Sequence, residues 1–426
     1  MNRSSKLFVL ILLGLFFLLL FWNVYDNNYF SEQQMKEIAK DIIPLRTICP
    51  EDTNFDDLLF LKEVLAGKQI VVLGEPAHDD GSVFLAKSRI IRFLHERLGY
   101  NVLIWEAPMY DCWFANQERL NNEHSNYTGV FSLWSKVEET QLLWNYINRQ
   151  SKINPLYTQG IDVQISDDIS DTARALLLRN YLQSKDIAID NYAVFSRILS
   201  EMLSTFMYPK HRLRSVEIDT LQREMKQIVK LLQQQTTLNF RDSIYIRYLD
   251  GLRFWMQVLV EHPNQNAIRL SIRDSIMAQN FIWLVDNYYP DEKIVVWCAN
   301  MHLLYNHLGY TQQNRNLDNF RFVTLGERLK KHYKENSYML AFTWFCKESS
   351  RHNIGEYASS KNMEYVLHQQ GERFSFIDLR NTNCSSCWRQ AFTAKINHGY
   401  DVLATWSRMT DGIFFIDTTI SSTYIE

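Results

Sequence analysis

Four polar clusters, each placed directly after an apolar run, hold the residues able to do chemistry in this sequence. Ile70 to Leu73 runs into Gly74-Glu75-Pro76-Ala77-His78-Asp79-Asp80-Gly81, which sets a glutamate and a histidine three residues apart among turn formers. Glu106 follows the run Val102 to Trp105, Asp162 closes Leu156 to Ile161, and Asn300 with His302 follow Ile294 to Cys298. A histidine beside a carboxylate in a partly dry cleft can act as a general base near neutral pH. The carboxylate fixes the imidazole tautomer and stabilises the imidazolium that forms. A second carboxylate or histidine can orient water or protonate a leaving alkoxide. The set therefore supports single-displacement hydrolysis through activated water. No Gly-x-Ser-x-Gly turn occurs in the chain, so a serine-nucleophile α/β-hydrolase mechanism has no support. Asp79 and Asp80 beside Glu75 and His78 have the donor chemistry of a divalent-ion site, but nothing indicates supporting groups around them, and no metal is assigned.

Clusters this far apart in sequence need elements that carry them to one place. Short apolar runs bounded by Gly, Pro and polar residues read as buried strands, and the pattern of Ser82 to Leu98 reads as a helix, giving a first βαβ unit. Further strands are expected at Leu156–Ile161, Ile294–Cys298, Met339–Thr343, Phe374–Leu379 and Ile413–Ile416. Residues 27–66 read as a linker followed by helices, including Phe55 to Ala66. Residues 166–285 are helical in period throughout, with helices expected at Ile169–Leu182, Ile187–Leu203, Val216–Gln235, Phe240–Val260 and Ala267–Val285. The expected fold is α/β, a central mostly parallel sheet flanked by helices, with a long all-helical insertion at 166–285. Ligands of open α/β sheets bind beyond the carboxyl ends of the strands, which is where all four clusters fall. Each residue also has a plain structural reading. His78 can be a solvated loop histidine, Glu75 a helix cap, Glu106 a salt-bridge partner and His302 a satisfied buried histidine. Arg273 with Asp274 reads as a structural ion pair, Asp162 as a hydrogen-bond acceptor, and His95 and His307 as surface residues.

Composition narrows the class of partner. A net charge of -3 over 426 residues gives no electrostatic case for nucleic acid. Aromatic content of 14% points first to core packing and second to an aromatic-lined pocket for a bulky ligand. Six cysteines are too few for a disulfide scaffold, and the one close pair, Cys384 and Cys387, lacks the second pair that zinc would need. Arg3 and Lys6 precede an unbroken apolar run from Leu7 to Trp22 with no small-residue cleavage site after it. Residues 1–26 are thus expected to be an uncleaved signal-anchor, or transmembrane segment, holding a domain of residues 27–426 on the non-cytoplasmic side of a membrane.

The ordered motifs resemble the erythromycin esterase-like hydrolases, with a broader similarity to haem-iron-binding lipoproteins of the same superfamily. The resemblance runs over roughly residues 65 to 420. Its anchors are Gly74-Glu75-x-x-His78, Phe93 to Tyr100, Glu106, Trp134, Gly160-Ile161-Asp162-Val163-Gln164, Arg273 to Asn280, Val296 to His302, Gly326-Glu327-Arg328-Leu329 and Phe376 to Arg380. It implies a hydrolase opening an ester or lactone, with His78 as general base, Glu75 and Glu106 as acidic partners and His302 as a second histidine. Lys87, Arg89 and Asn300 would contact the small-molecule substrate, and no metal or other cofactor is implied. Two positions depart from the family pattern. Ala299 stands where the Trp-x-His-Asn-x-His element has its first histidine, and Lys87 stands where an arginine is usual. Lysine is a point charge without the planar fork that binds carboxylates in two places. These departures keep open a non-catalytic protein binding a bulky apolar ligand such as haem, and the helical insertion alone suggests a partner-recruiting arm.

Overall fold

The computed structural model describes residues 30–121, 127–150, 152, 154–166, 168–204, 214–307, 322–348, 356–381 and 385–425. The proposed anchor at 1–26 and Cys384 lie outside the described residues. Among the described residues no helix is long and apolar enough to cross a membrane.

Strands β1 (Ile43–Pro44), β2 (Ile70–Leu73), β3 (Tyr100–Pro108), β4 (Tyr157–Asp162), β5 (Lys293–Trp297), β6 (Ser337–Glu348), β7 (Glu356–Tyr357) and β8 (Phe374–Asp378) are followed by a small hairpin, β9 (Phe392–Ala394) and β10 (Val402–Ala404), and by β11 (Gly412–Ile420). Among the described residues one sheet has the order β1-β8-β11-β6-β2-β5-β3-β4, with β7 added alongside β6. The run from β11 to β4 is parallel, and β8 and β1 join antiparallel at one edge. The sheet is therefore mixed. The strands read as continuous apolar runs because both of their faces are covered. Alternate residues feed two cores: Ile70, Val72, Val102, Ile104, Ile294 and Val296 enter one, while Val71, Leu73, Leu103, Trp105, Val295 and Trp297 enter the other.

The helices used below are α1 (Gly81–Leu98), α2 (Met109–Asn121), α3 (Glu138–Gln150), α4 (Asp171–Gln183), α5 (Tyr192–Ser204), α6 (Ser215–Gln233), α7 (Phe240–Glu261), α8 (Asn266–Tyr288), α9 (Asn300–Leu303) and α10 (Leu325–Tyr333). Helix α1 places Phe84, Ile91 and Phe93 in the core that contains Leu73, and α3 adds Leu143 and Ile147 to it. It stops at Gly99, whose φ of 72° is the left-handed cap that glycine provides without a steric cost. Helices α8 and α10 cover the other face through Met277, Phe281, Leu325 and Leu329.

The helices α4 to α8 lie between β4 and β5, and the last of them is no detached arm. Asn280 of α8 donates its Nδ2–H to the carbonyl of Ile161 at 2.9 Å, which pins α8 along β4. Chain connections leaving β2 and β5 go opposite ways, to β3 over one face and to β6 over the other. Such a reversal opens a crevice at the carboxyl ends of the two strands. The helix expected from Phe55 to Ala66 shortens to a 3-10 turn at Asp56–Leu58 and one helical turn at Leu61–Val64. Strand β1, only two residues long and ending in proline, carries no periodic signal in the sequence.

Candidate functional site

Glu75 stands at the carboxyl end of β2 and is fully buried, so each of its oxygens needs a donor. Its Oε1 accepts from Trp134 Nε1 at 2.8 Å and lies 2.9 Å from His78 Nδ1. Its Oε2 accepts from Lys87 Nζ at 2.8 Å. Lys87, on the first turns of α1, also donates to the carbonyl of Cys298 at 3.3 Å and lies 3.9 Å from the centre of the Trp297 ring. Burial pulls the Lys87 ammonium below its ordinary value, with the Glu75 charge opposing the drop. His78 differs from these neighbours in being reachable: its side chain is 40% exposed, against 0% for Glu75 and Lys87. Partial desolvation disfavours its charged form, but the hydrogen bond and charge of Glu75, seconded by Glu106, outweigh that and hold it above 6.5. With Nδ1 engaged by Glu75, Nε2 on the far side of the ring points away from its carboxylate.

A second set is built on Glu106. The β3–β4 register shifts between Trp105 and Pro108, so Glu106 and Ala107 occupy a bulge, a device that re-aims side chains beside functional sites. The bulge presses on Gly160, where a Cβ would come within 2.4 Å of the Ala107 carbonyl oxygen. Glu106 Oε2 accepts from the Ala299 backbone N–H at 2.9 Å, and Oε1 accepts from Arg273 Nη2 at 2.9 Å and lies 3.1 Å from His302 Nε2. Arg273, from α8, also donates through Nε to both oxygens of Asp162 at 3.1 Å. His302 Nδ1 lies 2.7 Å from Asp274 Oδ1, and Asp274 Oδ2 accepts from the Leu325 N–H at 2.7 Å at the start of α10.

Three carboxylates, one guanidinium and one imidazole thus share a dry region. Burial alone would raise Glu106, but His302 and Arg273 hold it well below the usual carboxylate range. Burial alone would lower His302, but Asp274 and Glu106 push it up to about 10. Burial raises Asp274 against the pull of His302. Arg273 Nη1 is also 3.2 Å from His302 Nε2, so that nitrogen faces a cation and an anion at once. The excess of negative charge decides for the imidazolium, with Nε2–H directed to Glu106.

Consecutive residues tie the two sets together. Ala299 donates its N–H to Glu106, and Asn300 donates its N–H to the Glu75 carbonyl at 2.8 Å. Glu106 raises and His302 lowers the basicity of His78, so the two sets lie within the range of each other's charge at the crevice beyond the strand ends.

The positions expected from sequence fall into three groups. Glu75, His78, Glu106 and His302 come together as described. Lys87 is in the cluster but is fully enclosed, its ammonium committed to Glu75, so it stands behind the carboxylate and not on a substrate surface. Asn300 and Arg89 are corrected as substrate contacts. Asn300 is fully buried and spends its amide on Phe342 N, Phe342 O and Ile396 O at 3.2, 2.7 and 2.6 Å. Gly74 makes room for it, since a Cβ there would lie 2.0 Å from Asn300 Oδ1. Arg89 points to the far side of α1, where Asp57 and the carbonyls of Thr47 and Asn54 take its guanidinium at 2.7 to 3.1 Å.

His95 and His307 are buried, not surface residues, and His95 Nδ1 lies 2.6 Å from the Tyr146 hydroxyl. Asp80 is fully buried against Lys347 Nζ at 3.2 Å and Trp344 Nε1 at 3.2 Å. Among the described residues no group of three or more His, Cys, Asp or Glu side chains is placed to hold a metal ion. Arg273, Asp274 and Trp134 were not foreseen as parts of the site. The available signal was their place among the family-like motifs, Trp134 and Arg273 to Asn280.

The fold and site define an open α/β protein with a buried acid–histidine centre at its strand ends and no nucleophilic serine turn. The chain belongs to the erythromycin esterase family, whose model matches residues 95–419. That span includes Glu106, Arg273, Asp274 and His302, while Glu75, His78 and Lys87 precede it. YbfO of Bacillus subtilis (strain 168), which carries a provisional hydrolase name, is 27% identical over 76% of this chain and 77% of its own length. Erythromycin esterase type II of Escherichia coli is 20% identical over 73% of this chain and 77% of its own length. The fold is shared with a crystal structure described as a succinoglycan biosynthesis protein, at a TM-score of 0.72 and 17% identity, covering 92% of this chain and 98% of that one.

Proposed function

We propose that the protein is a hydrolase that opens an ester or lactone with a water activated by His78. The observation that carries this reading is the 2.9 Å contact between His78 Nδ1 and a Glu75 that is itself fixed by Trp134 and Lys87. That contact sets the tautomer, leaves Nε2 to take a proton from water, and stabilises the imidazolium that results. The Glu106 set would serve the opposite need. Arg273, the most exposed member of that set and held in place by Glu106 and Asp162, would offer its guanidinium to the oxyanion of a tetrahedral intermediate, while His302, enclosed between Asp274 and Glu106, would only fix the arrangement. Family membership and the names of the relatives support the hydrolase class.

The test is hydrolysis of a panel of nitrophenyl esters and lactones by the full chain and by His78→Gln. Turnover by the wild type is expected, with a fall of about 10²- to 10⁴-fold in the variant, the usual worth of a general base. Because the base must be neutral and His78 is held above 6.5, kcat/KM should fall as pH drops through a value above 6.5. No turnover by the wild type, or equal turnover by the variant, would overturn the reading.

A further inference from the structure

A third histidine stands at this cleft on a segment that neither set of carboxylates uses. His398 lies at the tip of the β9–β10 hairpin with a φ of 50°, followed by Gly399 with a φ of 68°. Tyr400 N–H donates to the Asn397 carbonyl at 3.0 Å across these two residues, so they are the central pair of a tight turn with two left-handed positions. Glycine takes that conformation at no steric cost, whereas histidine does not.

The turn is held from several sides. Asn300 Nδ2 donates to the Ile396 carbonyl at 2.6 Å, Lys395 N–H donates to Glu364 at 2.8 Å, and Asn362 Nδ2 donates to Asp401 at 2.7 Å. Asn300 is the residue whose backbone anchors Glu75, so the hairpin is fastened directly to the site. The His398 ring meets Met301, the neighbour of His302, with Nε2 at 3.2 Å from Sδ. It remains half-buried, not enclosed.

We propose that His398 is a substrate-contacting residue, a hydrogen-bond partner for an oxygen of the ester group, and that the anchored hairpin serves to present it. The proposal rests on the hydrolase reading above. Partial burial, followed by the nearby charges of His78 and His302, lowers His398 to about 4, so it offers a neutral imidazole wherever the rest of the site works. A strained left-handed backbone is the kind of local cost that persists where a side chain is needed.

His398→Gly and His398→Asn both suit a left-handed position and separate need from architecture. Expected are urea midpoints at or above that of the wild type, with kcat/KM lowered on the order of 100-fold, the scale of one lost transition-state hydrogen bond. Wild-type kcat/KM in both variants would overturn the proposal while leaving the hydrolase reading intact. So would lowered midpoints in both, which would make the residue architectural. A wild type without turnover would remove the hydrolase reading, and this proposal with it.

Discussion

Glu75 and Glu106 occupy matching places, each buried at a strand end and each saturated by donors, yet their surroundings end differently. The Glu75 set terminates in His78, a ring 40% exposed that can trade protons with a bound molecule. The Glu106 set closes on itself: Asp162, Arg273, Glu106, His302 and Asp274 pair in series, with side-chain exposures of 11% or less. One carboxylate backs a reactive group, and the other immobilises cations. Similar positions at a sheet edge thus give opposite chemistry, according to whether the last partner in the series reaches solvent.

That contrast makes the closed set the larger structural liability. Arg273→Ala would strand Glu106 and Asp162 without their shared cation in a dry region. Removing one partner of a buried ion pair costs about 3–5 kcal/mol, and this arginine serves two carboxylates. Urea unfolding should show a loss of that size, whereas His78→Gln, at a partly exposed ring, should leave the midpoint near wild type. Equal destabilisation by the two variants would erase the distinction between the sets. A smaller effect is expected on the open side. Trp134→Phe removes one of three donors to Glu75, a hydrogen bond to a charged group worth about 1.5–3 kcal/mol, and leaves a small void where the indole was packed. Because His78 would lose rigidity in its carboxylate partner, kcat/KM should fall together with stability. A variant unchanged in both would show that Lys87 and His78 suffice to fix Glu75.

The central strands were legible in sequence because each is a short apolar run cut off by turn formers, and the four polar clusters marked their ends. Helices between Asp171 and Tyr288 were legible from their period. What the sequence concealed was direction. Lys87 and Arg89 are two residues apart on one helix, which turns them about 200° from each other, so they could not share the cleft. Arg273 and Asp274 looked like partners of one another. Adjacent helical residues diverge by about 100°, and these two meet only through His302, Arg273 at its Nε2 and Asp274 at its Nδ1. Asn300, next to a strand end, looked functional but is consumed by backbone groups of Phe342 and Ile396. His398 lies in a hairpin far along the chain, and only the tertiary path of Asn300 to Ile396 brings it to the site.

Titration of the histidine rings of the full chain by NMR, with His78→Gln and His302→Gln used to assign the signals, separates the two sets most directly. His78 is expected to titrate above 6.5 and before His302, which should stay charged until about pH 10. A His302 that loses its proton at or below the pH at which His78 does would contradict the division between a reactive ring and a fixed cation.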